Sequence, residues 1–162
     1  MKQLFFISIF TLACITTAQA QRISDNAIGL RLGDSDGFGT EISYQRALGE
    51  NNRLELDLGW RSGDNYDAFR LTGLYQWVFN LDGNFNWYVG AGGGIANVSV
   101  DNVPDGTDDS ETYFYAAGDI GIEYDFDIPL ILSLDFRPEF GFGDLLDDDV
   151  DFDIAFGIRY QF

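Results

Sequence analysis

Apolar and polar side chains alternate one by one along most of the chain that follows residue 20. A repeat of two residues is the period of a β-strand whose two faces meet different surroundings. The C-terminal segment shows the pattern most clearly, and it predicts a strand that runs to the last residue. The apolar face of that strand carries Val150, Phe152, Ile154, Phe156, Ile158, Tyr160 and Phe162, and the polar face carries Asp151, Asp153, Ala155, Gly157, Arg159 and Gln161.

The same alternation recurs in seven further segments, so the sequence predicts eight strands, an even number. Leu74 is an exception, because it places an apolar residue on the polar face of the fourth segment. The seven segments are Ile28–Gly33, Phe38–Gln45, Leu54–Arg61, Phe69–Trp77, Trp87–Ile95, Phe114–Glu123 and Leu130–Arg137.

The predicted connections alternate in character along the chain. The second, fourth and sixth are compact turns around residues 49–52, 82–84 and 127–129. The first, third, fifth and seventh are acidic and often longer, at residues 34–37, 62–67, 99–111 and 143–149. Short turns at one end and longer loops at the other are typical of an up-and-down transmembrane barrel. Both termini then lie at the short-turn end, which faces the periplasm.

The first twenty residues have the pattern of a secretory signal peptide. Lys2 supplies a positive charge, residues 4–15 form a short apolar run, and Ala18-Gln19-Ala20 matches the small-x-small pattern of a cleavage site. We therefore expect an exported protein, with residues 1–20 cleaved and residues 21–162 forming one barrel domain. A retained N-terminal anchor helix and a lipoprotein acylated at Cys14 are the alternatives.

The charge balance is strongly acidic, with nine basic against twenty-seven acidic residues and a net charge of −18. Such a chain repels phosphate, so no nucleic acid is expected as a partner. The sequence contains no histidine, and its one cysteine lies in the predicted signal segment. The usual general base and thiol nucleophile are therefore missing, and we expect neither an enzyme nor a bound cofactor.

A membrane barrel has its apolar face outside, whereas a lipocalin-like soluble barrel has it inside. The polar face of this chain combines small residues with ion-pairable Arg, Asp and Glu, which suit the narrow interior of an eight-stranded barrel. Aromatic residues lie near the predicted strand ends, as the interfacial girdles of a membrane barrel require. These residues are Tyr44, Trp60, Trp77, Phe79, Trp87, Tyr124, Tyr160 and Phe162.

Two stretches of the chain resemble a known class of proteins. Tyr160-Gln161-Phe162 is similar to the terminal signal that outer-membrane barrels present to the barrel-assembly machinery, with Tyr160 and Phe162 as its aromatic residues. Residues 87–96 resemble the glycine-rich fifth strand of small opacity-type and OmpX-like barrels of the porin family. The resemblance implies an all-β fold, a closed barrel of eight antiparallel strands in up-and-down order. It also implies a place in the outer membrane of a Gram-negative bacterium and no catalytic residues.

Charged residues of both signs fall on the predicted lumen face. One interpretation is an interior ion-pair network that closes the lumen, and the other is a narrow ion path. Buried charges are costly unless they are paired, and an eight-stranded barrel leaves little free space, so we favour the closed lumen. The predicted network consists of Arg31, Arg61, Arg70, Arg137, Arg159, Glu41, Glu55, Asp57, Asp119, Glu123, Asp135 and Asp151.

A glycine cluster and two groups of carboxylates are further candidate ligand sites. The glycine cluster Gly90–Gly94 lacks the final glycine of a phosphate-binding fingerprint, because Ile95 stands there, so close packing in the barrel wall is the better interpretation. Clustered carboxylates in the fifth and seventh connections can bind Ca²⁺ or another divalent cation, which would also bridge anionic lipids. A solvated acidic surface is the alternative. The candidate ligands are Asp105, Asp108, Asp109, Asp147, Asp148 and Asp149.

The sequence therefore predicts a non-enzymatic, monomeric integral outer-membrane protein, surrounded by lipid, that displays acidic loops outward. Its expected role is structural or in surface interactions. A narrow porin-like channel for small solutes is the first alternative. A soluble periplasmic barrel that binds an apolar ligand inside is the second.

Overall fold

The fold is a closed β-barrel, seen in a computed structural model that describes residues 23–33, 39–63, 66–100, 109–142 and 150–162. Within these ranges the chain forms eight strands, and each strand pairs with its neighbours in sequence. The predicted signal segment, residues 1–20, lies outside the described residues. The strands are β1 (Asn26–Leu32), β2 (Thr40–Ala47), β3 (Asn52–Gly63), β4 (Tyr66–Asp82), β5 (Phe85–Val100), β6 (Asp109–Asp125), β7 (Leu130–Phe142) and β8 (Val150–Gln161).

Antiparallel pairing of β1 with β8 closes the barrel. The Asn26 N–H donates to the Phe162 carbonyl at 3.2 Å, and the Phe162 N–H donates to the Asn26 carbonyl at 2.9 Å. The ladder continues until Leu32 lies opposite Phe156. Since all the other neighbouring strands are antiparallel too, the predicted up-and-down barrel of eight strands is confirmed.

The described part of the chain contains no helix long and apolar enough to cross a membrane.

The two faces of each strand meet opposite environments. On β8 the outward-facing Ile154 is 60% exposed, whereas Arg159 on the inward face is 0% exposed. Apolar residues outside and charged residues inside reverse the polarity of a soluble protein. Closure also pairs the backbone of every strand with two neighbours, which a chain surrounded by hydrocarbon requires.

An apolar belt runs around the outside of the barrel. On β5 it extends from Phe85 to Ile95, a stretch as long as the roughly 9–11 residues that a tilted strand needs to span a membrane. Beyond Ile95 the outward residues become polar, beginning with Asn97 opposite Thr112 on β6. We call the end that carries the acidic loops the outer end and the end with the short turns and both termini the inner end.

Aromatic rings cluster at the inner end of the belt. Phe79 and Trp87 stack with their centroids 4.7 Å apart, and Tyr75 meets Trp77 edge to face at 4.9 Å. Around the barrel, Phe85 meets Tyr124 at 4.6 Å. Such rings are enriched at the membrane–water interfaces of transmembrane barrels, and this cluster lies at the inner edge of the apolar belt.

β4, β5 and β6 continue farther than their apolar alternation indicates. β4 and β6 have 17 residues each and β5 has 16, whereas β1 has 7. Residues 62–67 and 99–111 were predicted as connections, but β3 runs to Gly63, β4 begins at Tyr66, and β5 and β6 extend to Val100 and Asp109. The outward face of the extra length is polar, which is why it resembled a loop: the Asn97 amide donates to Ser110 Oγ at 3.1 Å and to Thr112 Oγ1 at 2.8 Å.

Candidate functional site: the ion-paired lumen

Five arginines are buried inside the barrel among the residues that the structure describes. A strand directs every second side chain inward. The height of each inward charged residue in the lumen is therefore fixed by its position along the strand. The lumen also contains more buried carboxylates than guanidinium groups. The arginines are Arg31, Arg53, Arg70, Arg137 and Arg159, and the carboxylates are Glu41, Glu55, Asp57, Asp119, Glu123, Asp135 and Glu139.

Arg31 on β1 links three other strands. Its Nη1 lies 3.0 Å from Glu41 Oε2 on β2, and its Nη2 lies 2.5 Å from Asp135 Oδ1 on β7. A third bond joins Nη1 to Asp153 Oδ2 on β8 at 2.5 Å. The planar guanidinium presents its donors in a fixed fork, so one side chain can hold several carboxylates in place.

Arg137 and Arg159 share Glu55 in the middle of the lumen. Arg159 Nη2 lies 3.1 Å from Glu55 Oε2, and Arg137 Nη2 lies 3.4 Å from Glu55 Oε1. Arg137 also pairs with Asp57 and with Glu41. Arg159 donates to Ser43 Oγ at 2.9 Å and to Ser133 Oγ at 2.8 Å. These bonds join β2, β3, β7 and β8 across the interior.

The two remaining arginines lie towards opposite ends of the network, and each covers a tyrosine ring. Arg53 near the inner end lies 4.8 Å from the Tyr88 ring centroid, and Arg70 towards the outer end lies 4.9 Å from that of Tyr115. Arg53 pairs with Glu123 at 2.8 Å. Arg70 pairs with Glu139 and also donates to the Tyr115 hydroxyl at 2.9 Å. A cation over an aromatic face is stabilised most when both groups are desolvated.

Each of these tyrosines lies directly opposite a glycine across β5 and β6. Tyr88 on β5 faces Gly121 on β6, and Tyr115 on β6 faces Gly94 on β5. A Cβ atom at either glycine would run into the ring of the tyrosine. The glycines are therefore needed for space, because the ring lies flat over a backbone that has no side chain.

A small apolar cluster interrupts the charges on the lumen face of β4, β5 and β6. Leu74, which breaks the polar face of the fourth predicted strand, is completely buried there against Ala96, Tyr115 and Ala117. Its inward position is therefore part of the packing of the lumen. Glu139 and Glu55 lie in register with Ala117 and Leu74 respectively, so the apolar cluster adjoins the ion pairs directly.

Two residues predicted for the network do not lie in the enclosed lumen. Arg61 on β3 and Asp151 on β8 have inward register positions, opposite Ala68 and Glu139, but their side chains are exposed at the outer end. Alternation gives the face of a strand and not the height along the barrel, so it could not separate these two from the enclosed charges. The other ten predicted residues are buried in the lumen.

The network contains three charged residues that the sequence interpretation omitted. Arg53 precedes the first apolar residue of the third predicted strand, so it fell outside the alternating segment. Glu139 follows Pro138, a residue type that usually ends a strand, although β7 continues through it. Asp153 was placed on the polar face of β8 but was not assigned a partner. The continuing two-residue period was the signal that marked all three.

The candidate ligand sites outside the lumen are only partly covered by the structure. Gly90–Gly94 lie inside β5, where the Cβ of an alanine at 92 would collide with the Gly73 backbone. The side chains of Asp105, Asp108, Asp109, Asp147, Asp148 and Asp149 lie outside the described residues, although the backbone of Asp109 begins β6. Among the side chains that are described, no group of three or more acidic residues is arranged to hold a metal ion.

Side chains occupy the enclosed part of the lumen, where Arg137, Arg159 and Gln76 have no exposed surface. At the inner end a cavity of about 10 Å³ lies between Ser24, Gln45, Arg53 and Glu123. A single water molecule needs about 10–15 Å³ measured in this way. In the middle of the lumen, Arg137 and Arg159 both pair with Glu55, and all three side chains are buried.

No family model matches the sequence, and neither does any curated protein. Solved structures, in contrast, resemble the barrel over most of its length. The N-terminal β-barrel domain of Pseudomonas aeruginosa OprF has a TM-score of 0.64 at 15% identity, covering 86% of this chain and 98% of that domain. Neisserial surface protein A has a TM-score of 0.61 at 15% identity, covering 85% and 94%. Ail, the attachment invasion locus protein of Yersinia pestis, has a TM-score of 0.58 at 15% identity, covering 86% and 97%.

These identities are low, so the likeness concerns the fold. The matched proteins are small barrels of the outer membrane, and the apolar exterior and charged interior described above are what such barrels require. The chain has the fold of the small eight-stranded outer-membrane β-barrel proteins.

Proposed function

We propose that this chain is a non-enzymatic integral protein of the bacterial outer membrane with a closed lumen and a structural or surface-interaction role. The observation that carries the proposal is the reversed polarity of the barrel, with Arg137 and Arg159 fully buried inside and apolar side chains exposed around the outside. Lipid covers that belt, and the ion pairs hold the strands together from within. The exported chain is monomeric and acts without a cofactor.

The ion pairs support a closed barrel more than a channel. A conducting path would need water between these side chains, but Arg137 and Arg159 both contact Glu55 directly. The free energy required to separate buried charges opposes spontaneous opening. In planar bilayers we expect no stepwise conductance from the purified barrel. Reproducible steps that disappear when the protein is omitted would favour the narrow channel instead.

A soluble periplasmic barrel would need the opposite arrangement. Its ligand cavity would be lined by apolar residues, whereas this lumen is lined by ion pairs. Its exterior would be polar, whereas Ile28, Phe69 and Ile120 are all exposed on the outside here. These positions support residence in lipid.

The strands that continue beyond the belt support a role at the cell surface. Outward-facing Asn97 and Ser99 on β5 and Ser110 and Thr112 on β6 form a polar surface past the apolar belt. We propose that this surface and the acidic loops contact the environment of the cell. One solved structure of Ail is a complex with the heparin analogue sucrose octasulfate. The net charge of −18 disfavours such a polyanion here and favours cationic partners, including divalent cations bound by the loop aspartates.

The terminal aromatic residues support delivery by the barrel-assembly machinery. Tyr160 and Phe162 are exposed on the outside of β8 and just beyond it, so a partner could contact them before β1 and β8 pair. We propose that residues 1–20 direct export and that these two aromatic residues then direct insertion. A Phe162→Ala variant should accumulate in the periplasm while still refolding from urea into vesicles.

The experiment that tests the location is fractionation of expressing cells, followed by gel electrophoresis with and without boiling. A folded barrel resists detergent at room temperature, so we expect an outer-membrane band whose mobility changes on heating. A band in the soluble fraction that migrates identically in both lanes would overturn the proposal. Ca²⁺ titration by calorimetry tests the loops separately, and the absence of heat would remove the cation proposal while leaving the barrel.

A further inference from the structure

An apolar groove crosses the outside of the barrel from β5 to β8. It is bounded by two rows of side chains that follow the strand pairing. One row is Trp87, Ile122 and Leu134, which are cross-strand partners in that order. The other row is Ile120, Phe136 and Ile154, which are also consecutive partners.

The bottom of the groove is backbone. Gly121 and Asp135 are paired between the two rows, and Gly121 has no side chain while that of Asp135 is buried in the lumen. Rows two residues apart on a strand are separated by about 7 Å. The groove is shallow and open along its outer side, and its volume is about 410 Å³.

A stacked pair of aromatic rings lies at each of two corners of the groove. At the inner side the Trp87 ring stacks on Phe79, with centroids 4.7 Å apart. At the outer side the Phe136 ring stacks on Phe152, with centroids 5.6 Å apart. Each of these rings is held by its stacking partner, so the groove has a defined shape and not only an apolar character.

We propose that this groove binds one acyl chain of a membrane lipid. The inference rests on the proposed membrane location and names a lipid site within it. The groove is continuous with the lipid-facing belt, so acyl chains reach it without crossing water. An extended peptide would leave its backbone N–H and C=O groups unsatisfied against these walls, and a helix about 10 Å across is wider than the distance between the rows. A hydrocarbon chain has no such groups and is narrow enough to lie between the rows. Close packing against the fixed rings then favours one retained chain over a freely exchanging neighbour.

The test is quenching of tryptophan fluorescence by a phospholipid brominated in the upper part of its acyl chains, at the depth of aromatic residues near the edges of the belt. A variant with Trp60→Phe and Trp77→Phe retains only Trp87, at the edge of the groove. A variant with Trp77→Phe and Trp87→Phe retains only Trp60, on β3 and outside the groove. In detergent micelles with an equimolar amount of brominated lipid, we expect Trp87 to be quenched and Trp60 not to be, because lipid without a site is diluted among the detergent molecules.

Filling the groove should abolish the selective quenching. Ile154→Phe in the Trp87 variant enlarges a wall residue, and we expect quenching to fall to the level of Trp60. Ile158→Phe is the matched control, because Ile158 also faces outward on β8 but does not line the groove. The control should leave the quenching of Trp87 intact. A heat-dependent shift in gel mobility verifies that each variant is folded.

Failure of the site and failure of the membrane location give different results. In vesicles made wholly of the brominated lipid, a membrane barrel has both Trp60 and Trp87 quenched. If neither is quenched there, the membrane location itself is wrong. If both are quenched in vesicles but respond equally in micelles, or if Ile154→Phe leaves the quenching of Trp87 unchanged, the barrel is in the membrane and the acyl-chain site is overturned.

Discussion

Tyr88 and Gly121 lie directly opposite each other on β5 and β6, and the tyrosine ring occupies the space that a side chain at position 121 would need. The Arg53 guanidinium lies over the same ring, so residues of β3, β5 and β6 pack together here as one unit. The unit is fully enclosed, and none of its parts can move aside without disturbing another. Packing in this part of the barrel therefore depends on the absence of a side chain at Gly121.

Gly121→Ala should destabilise the barrel by about 1–3 kcal/mol, the range observed for overpacking a close-packed interior. The added Cβ would meet the Tyr88 ring and would lie 2.9 Å from the Leu134 carbonyl oxygen. Urea unfolding in lipid vesicles measures the change. Gly73→Ala is the control, because a Cβ there would lie 3.5 Å from Leu56 Cδ2, an ordinary contact. Equal stability of the two variants would contradict the packing argument.

Arg159→Met should destabilise the barrel by about 3–5 kcal/mol, because it leaves Glu55 with fewer cations in a buried site. It also removes the donors to Ser43 and Ser133. Refolding from urea into vesicles avoids any effect on cellular assembly from a change next to the terminal aromatics. The exposed Arg46→Met should change the unfolding free energy little. An unchanged midpoint for Arg159→Met would show that the pair is not needed to hold the lumen together.

Leu74→Ala should cost about 2–5 kcal/mol, since it opens a cavity beside Ala96 and Tyr115. Leu71→Ala is the matched control on the same strand, where Leu71 faces outward and lipid can fill the space that the missing methyl groups leave. A comparison of the two unfolding curves in vesicles measures the difference. If the lipid-facing variant lost as much stability as Leu74→Ala, the apolar cluster in the lumen would have no special role.

Arg70→Lys keeps the charge but should still destabilise the barrel by about 1–3 kcal/mol, the scale of a hydrogen bond to a charged group. A lysine has no planar fork, so it cannot pair with Glu139 and also reach the Tyr115 hydroxyl as Arg70 does. Urea titration checks the loss. Arg46→Lys at the exposed position should behave as wild type, and an Arg70→Lys variant as stable as that control would mean that only the charge matters.

The strands and their faces could be predicted from the sequence because the barrel wall has an apolar exterior and a charged interior. On β8 the side-chain type alternates with the face, so the sequence indicates which residues face outward and which face inward. Ten of the predicted lumen charges are buried. Arg61 and Asp151 have the inward register positions that the alternation predicts, but they lie beyond the enclosed part of the lumen, because height along the barrel depends on register between strands. Strand ends were missed for a related reason: beyond the belt the outward face becomes polar, as at Asn97 and Ser99, so the apolar outward pattern ends while the pairing continues.

The partners of the lumen charges could not be predicted either. Arg31 and Asp135 are 104 positions apart in the chain, and closure of the barrel brings them to adjacent heights. In the sequence, Leu74 is an apolar exception on a polar face. Its packing partners Ala96 and Ala117 belong to other strands, so the sequence of β4 alone does not explain it. Their common position follows from the register of β4, β5 and β6, which only the closed sheet defines.

The long separations between ion-pair partners also set an order of events for a chain that is made from its N-terminus. Glu55 is synthesised early, but Arg159 follows it after 104 positions and belongs to the last strand. Until β8 is in place, β1 has an open edge and the carboxylates of the half-built interior face no complete set of cations. The closed lumen therefore cannot be completed until the final residues are available, because a chain without β8 has neither the closing strand pair nor the Arg159 partner of Glu55.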